Sequence, residues 1–277
     1  MKIMLVTDIE GVSGVLNFAE WCIPQGRYYE KGKRLLTCEV NAVIDGLFAG
    51  GAEQVLVVDG HGPGAIDPEL LDERAELQRG QSTPVWPFTL DETFDGIGWV
   101  GQHAKAGTPW SHLTHTGTFA VKELTVNGVS IGEYGKMAFA AAELGVPVIF
   151  AGGEEAFARE AEELVPGVVA VGTKRGCNSE DGLEDVSAEV YERSKLAAIH
   201  ISPVEARRRL YEGAKKAMEQ LVGGIRPFPP KLQAPYVLKY CFRKRENQPD
   251  APDVPDVLYQ KHDTSFIGAL NAPYTAE

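Results

Sequence analysis

The stretch that most constrains this chain runs from Lys2 to Gly14. Ile3 to Val6 is an unbroken apolar run that ends in Asp8 and Glu10, with Gly11 and Gly14 just beyond. A run without polar alternation fits a strand covered on both faces, the kind found in parallel sheets. Residues two apart on an extended chain point the same way, so both carboxylates leave the strand end on one side. The glycines allow a tight turn after them. Carboxylates crowded at a buried strand end repel each other and lose hydration unless a cation sits between them. The plainer reading is a strand-ending Asp followed by a solvated Glu, and this stretch alone leaves both open.

The rest of the chain extends the strand into a layered pattern. Leu35, Leu36, Val40, Val43 and Leu47 have helical spacing over Lys33 to Phe48, and Gly50 and Gly51 stop that helix. Gln54 to Asp59 is a second apolar strand, closing a right-handed β-α-β unit. Pro68 to Leu77 predicts a short helix, and Ile97 to Gly101 is a short apolar run ahead of Gln102-His103-Ala104. Residues 105–117, rich in Gly, Thr, Ser and Pro and carrying His112 and His115, read as a loop long enough to be functional. Thr118 to Ile131 alternates around Asn127-Gly128, a hairpin signal.

An Ala-rich helix from Glu133 to Leu144 comes next, then a strand at Pro147–Phe150, a helix at Glu154–Leu164 and a strand at Val168–Val171. Ser202-Pro203-Val204-Glu205 is a capping box that opens a helix to about Val222. Pro227 to Pro230 marks a boundary, and strands near Tyr236–Arg243 and Val257–Lys261 flank a proline-rich loop from Pro249 to Pro255. The predicted fold is α/β: an open, mostly parallel sheet with helices on both faces, over residues 1–200, plus a smaller α+β C-terminal part, residues 201–277.

In open sheets of this kind ligands bind beyond the carboxyl ends of the strands. Asp8 and Glu10 follow the first strand, His61 the second and His103 a later one, while Glu133 follows the hairpin and opens a helix. Two imidazoles and three carboxylates are donor types suited to zinc or a similar divalent ion. Five such groups suit a two-metal site with one bridging carboxylate. Gly60-His61-Gly62-Pro63-Gly64-Ala65 also fits a dinucleotide fingerprint. Pro63 and Pro68 break the helix start which that motif requires, and Asp59 and His61 place a metal-friendly pair where a pyrophosphate would lie. His200 reads as a surface residue, His262 as a strand-end partner of Asp263, and Cys38 as core. Lys174-Arg175 and Arg207 to Arg209 read as solvated faces.

Composition excludes some partners. The 277 residues include 27 basic and 39 acidic ones, giving −12, so nucleic acid and anionic membrane are unfavourable surfaces for this chain. No apolar run approaches the length of a membrane span, and the N-terminus enters a strand without a signal-like region, so the expected location is the cytoplasm. Cys22, Cys38, Cys177 and Cys241 are scattered, as reduced thiols are, rather than spaced as a disulfide framework.

The motifs together resemble those of the DppA-type D-aminopeptidases. These are the Asp-x-Glu-Gly at Asp8–Gly11, the Asp-x-His at Asp59–His61, the Gly-x-His-Ala at Gly101–Ala104, the Thr-His-Thr around His115 and the Gly-Glu at Gly132–Glu133. The match in order and spacing runs through roughly residues 1–175. It implies a binuclear zinc centre on Asp8, Glu10, His61, His103 and Glu133, with His115 as the catalytic histidine. It also implies removal of N-terminal residues, of D configuration, from short peptides, in a homo-oligomer that forms a decameric ring. Spacing alone does not choose between His112 and His115; the resemblance selects His115. Val6 stands where the family has a serine, and the C-terminal part departs from the family pattern, lacking a long final helix. The rival readings are a metal hydrolase of another small amide or ester, and a metal-dependent binding protein without turnover.

Overall fold

A computed structural model of the protein describes residues 1–80, 82–244 and 255–276, and the expected proline-rich loop lies outside them apart from Pro255. In chain order the elements are β1 (Lys2–Thr7), α1 (Phe18–Trp21), α2 (Tyr29–Ala49), β2 (Gln54–Asp59), β3 (Ala75–Gln78), β4 (Gly96–Gln102), β5 (Val121–Val126) and β6 (Val129–Ser130). They continue with α3 (Glu133–Glu143), β7 (Val148–Glu154), α4 (Glu155–Leu164), β8 (Val169–Gly176), α5 (Ala188–Ser194) and β9 (Ala198–His200). The last are α6 (Pro203–Val222), β10 (Tyr236–Phe242), β11 (Val257–His262) and α7 (Phe266–Leu270).

Among the described residues, seven strands form the main sheet in the order β3-β2-β1-β4-β7-β8-β9, all parallel except β9, which runs antiparallel to β8. The period of two along β1 divides the core. Ile3 and Leu5 pack with Leu36, Val40 and Leu47 of α2 and Leu210, Met218 and Leu221 of α6. Met4 and Val6 face the other way, towards Tyr134 and Met137 of α3 and Phe157 of α4. Helices therefore cover both faces, which is why β1 carries no polar alternation. A second, antiparallel sheet, β11-β10-β5-β6, packs on Phe139 of α3 and Phe266 of α7. The stretch 201–277 is shared between the layers: α6 lies against α2 on the main sheet, while β10 and β11 extend the hairpin of β5 and β6. That hairpin turns at Asn127 and Gly128, both with positive φ (49° and 83°), as a two-residue primed turn requires.

The expected helix over Pro68–Leu77 does not form. The Asp67 and Asp72 carboxylates accept the backbone N–H groups of Glu69 and Arg74, turning the chain twice. Ala75–Gln78 then pairs with β2 as the edge strand β3. The strand β9, three residues long, was not visible in the sequence pattern.

The chain leaves β1 towards β2 and β3, then returns to the other side of β1 as β4. The carboxyl ends of β1 and β4 thus flank a topological switch point, where open α/β sheets hold their ligands.

Candidate metal centre

The loops after β1 and β4 meet at that point with almost no space between them. A Cβ on Gly11 would lie 2.0 Å from the carbonyl oxygen of Gln102, and one on Gly101, whose φ is +74°, would lie 2.1 Å from that of Asp8. Only glycine allows this crossing, and it brings Asp8 and Glu10 against Gln102 and His103.

The Asp8 carboxylate sits between two imidazoles. Its Oδ1 is 3.0 Å from His61 Nδ1 and its Oδ2 is 3.3 Å from His103 Nε2. Ile9 N–H also donates to Oδ1, and the Gln102 amide donates to Oδ2 at 3.0 Å. Glu10 Oε2 lies 3.4 Å from His61 Nδ1, and Glu133 Oε1, at the first position of α3, lies 3.7 Å from His103 Nε2. All five expected ligands therefore converge.

The remaining nitrogen of each histidine is already engaged. His61 Nε2 donates to the Cys22 carbonyl at 2.6 Å, His103 Nδ1 to that of Ala104 at 2.8 Å, and His115 Nδ1 to that of Leu113 at 2.8 Å. Each ring thus turns its other nitrogen towards the carboxylates, the orientation that metal-ligating imidazoles adopt. His103 Nε2 and Glu10 Oε2 are fully buried and without a hydrogen-bond partner. Buried polar atoms left without a partner are costly, and a divalent cation would supply what both lack. The donor set fits zinc.

Electrostatics agree with that reading. Burial opposes the charge on Asp8, yet the His103 and His61 imidazoles beside it hold its carboxyl well below the usual range. Burial and the Asp8 charge push Glu10 up to about 7. Burial works against protonation of His61 and His103, but the surrounding carboxylates push them up to about 12 and about 10. In the absence of a metal, protons take the place of cations among these acids.

His115 lies beside this group. Its ring stacks on that of His103 at 3.9 Å, and its Nε2 is 4.0 Å from Glu133 Oε1. Burial, then the His103 charge, lowers its pKa to about 4. The Phe119 ring lies tilted against it with ring centroids 4.7 Å apart, and the Gly117 N–H donates to Glu133 Oε1, tying the loop to α3. His112 is occupied elsewhere: its Nε2 lies 3.2 Å from the Leu16 carbonyl oxygen and its backbone N–H donates to Glu154. A small cavity beside Asp8, Gln102 and Glu133 is walled by Trp86, Phe88, Trp99 and Met137.

Several minor expectations are corrected. Lys174 is not on a solvated face; it is 3% exposed, because the loop after β1 folds over it. His200 is half-buried and accepts the Gly14 N–H through Nδ1. His262 Nδ1 accepts from Ser265 N–H rather than pairing with Asp263. Asp59 serves the loop, accepting the N–H groups of Ala65 and Ile66. Gln102, Glu39 and Glu154 escaped the sequence reading, although Gln102 stands directly before His103.

A family model described as D-aminopeptidase matches residues 1–264. A D-aminopeptidase of Bacillus subtilis (strain 168) is 35% identical over 181 residues, which cover 63% of this chain and 64% of the relative, a little under two thirds of its length. The solved structure of the Zn-dependent D-aminopeptidase DppA from Bacillus subtilis, described as a self-compartmentalizing protease, superposes with a TM-score of 0.81 at 27% identity. That superposition covers 98% of this chain and 95% of the other. With the family model spanning nearly its whole length and these motifs meeting at one switch point, the chain belongs to the D-aminopeptidase family.

Proposed function

We propose that this protein is a zinc aminopeptidase that releases N-terminal D-residues from short peptides. The observation that carries the reading is the Asp8 carboxylate held between two imidazoles, with Glu10 Oε2 and His103 Nε2 buried and without a partner. Two zinc ions per chain fit the two halves of that arrangement. Asp8 Oδ1, Glu10 and His61 would hold one; Asp8 Oδ2, His103 and Glu133 would hold the other, with Asp8 as the bridge. Zinc, when bound, supplies Lewis acidity to the scissile carbonyl and brings a water's pKa towards neutrality.

The chain's own residues do the rest. Gln102 and the Ile9 N–H orient the Asp8 carboxylate. His115, anchored through Nδ1, keeps Nε2 free beside Glu133 to handle a proton or the developing charge of the substrate. Trp86, Phe88, Trp99 and Met137 provide an apolar wall against the centre.

The DppA relative's self-compartmentalization supports a homo-oligomer here, and a decameric ring is the assembly expected. The charge of −12 suits a soluble cytoplasmic assembly that avoids nucleic acid and anionic membrane. The test pairs metal analysis with turnover of matched D- and L-aminoacyl peptides. Two zinc ions and D-selective release are expected. Faster turnover of the L-peptide, or full activity in metal-free protein, would refute the assignment.

A further inference from the structure

Beneath the loop after β1 lies a polar cluster that this chemistry does not use. Lys174 of β8 is buried, and its Nζ donates to the backbone carbonyls of Glu10 and, at 3.2 Å, of Val15. Beside it, Thr173 Oγ1 lies 3.0 Å from the carbonyl oxygens of Gly11 and of Gly153. The β8 strand is therefore stitched to the loop at Glu10, Gly11 and Val15, on both sides of the turn. Burial draws the Lys174 ammonium down to about 8, while Glu154 and Glu39 are among the groups that hold it charged.

The stitch falls unevenly on the metal centre. Fixing the Glu10 carbonyl fixes the backbone from which the Glu10 carboxylate reaches His61 Nδ1 at 3.4 Å. His103 and Glu133 are held by other groups, the Ala104 carbonyl and the Gly117 N–H. We propose that Lys174 is a positioning residue for the Glu10–His61 half of the centre, setting the metal affinity of that half and leaving the His103–Glu133 half alone. This rests on the two-metal reading above.

The test is zinc titration of metal-free protein in competition with a chromophoric chelator, with thermal melting alongside. Glu10→Gln and Glu133→Gln identify which binding step belongs to which half. In Lys174→Met, the step lost in Glu10→Gln should weaken by about ten- to a hundredfold, the usual scale for removing a group that orients a ligand. The other step should stay within about threefold of native. Leu221→Ala, which loosens the α2–α6 core without touching the loop, is the control for general destabilisation. Two unchanged steps in Lys174→Met overturn the inference, as do two steps weakened together or the same selective shift in the control. If Lys174→Met does not fold, the isosteric Thr173→Val decides: a selective shift of the same step supports the inference and none overturns it. Native protein that binds fewer than two zinc ions removes the two-metal reading and the inference with it. The other failures strike the inference alone.

Discussion

Two buried acidic clusters lie on either side of the loop after β1, and they manage their charge differently. In front, Asp8 and Glu10 face His61 and His103, with Glu133 at the rim. Behind, Glu39 and Glu154 surround Lys174. The rear cluster brings its own cation, and burial pushes Glu39 up to about 8 and Glu154 to about 7. Both clusters leave buried carboxylate oxygens without a partner, Glu39 Oε2 and Glu154 Oε2 behind and Glu10 Oε2 in front. In front, the oxygen lies beside ring nitrogens oriented to receive a cation. Burying acids does not by itself make a metal site; convergence of carboxylates with ring nitrogens whose protons a metal can replace does.

The largest effect expected from this contrast is at Asp8. Asp8→Ala removes the bridge, so metal analysis should find both zinc ions lost and activity at background. Retention of two ions would end its role as the bridge. The next effect is at His115. His115→Ala should keep both ions and the fold but lose turnover by about a hundredfold or more, the scale for a positioned acid–base group. His112→Ala should lose far less, and metal loss in His115→Ala would make His115 a ligand instead.

The rear side offers a smaller, pH-dependent effect. Burial, then the Lys174 charge, lowers His112 to about 2. The unfolded chain therefore takes up a proton below about 6.5 that the native state refuses, so stability is full above that pH and falls as pH drops. The slope from this one group is about 1.4 kcal/mol per pH unit. Urea titrations between pH 7 and 5 should show a shallower pH dependence in His112→Gln than in the native chain; parallel curves would refute it. The smallest effect is at Glu39. Burial pushes its carboxyl up to about 8, towards the uncharged form that Gln mimics, so Glu39→Gln should change stability by less than about 1 kcal/mol and leave zinc content unchanged. Loss of zinc in that variant would erase the distinction between the two clusters.

The front cluster was legible in the sequence because its residues stand at strand ends, where chain pattern and donor chemistry coincide. The rear cluster was not. Glu39 sits inside α2 and reads as an ordinary polar helical position, yet its Oε1 accepts the Ser13 N–H. Lys174, next to Arg175, reads as a solvated basic pair until a loop more than a hundred and fifty residues earlier closes over it. Burial imposed by a distant segment leaves no local period to detect. The same reason hid β9, whose three residues gain their strand form only from pairing with β8. The helices α2, α3, α4 and α6 and the long strands were recovered because apolar period and caps specify them, whereas the short α1, α5 and α7 were not. The error at Pro68–Leu77 arose where two aspartates captured the backbone first.

The three histidines of the centre are each anchored by a main-chain oxygen, belonging to Cys22, Ala104 and Leu113. A carbonyl is supplied by every residue type, so no exchange of side chain at these three positions deletes an anchor. Exchange there acts through packing, since all three side chains are buried, and at Leu113 also through a backbone φ of +54°. The centre is thus insulated from mutation at its supports. Drift in Cys22 to another small apolar residue should pass unnoticed by the imidazole that leans on it.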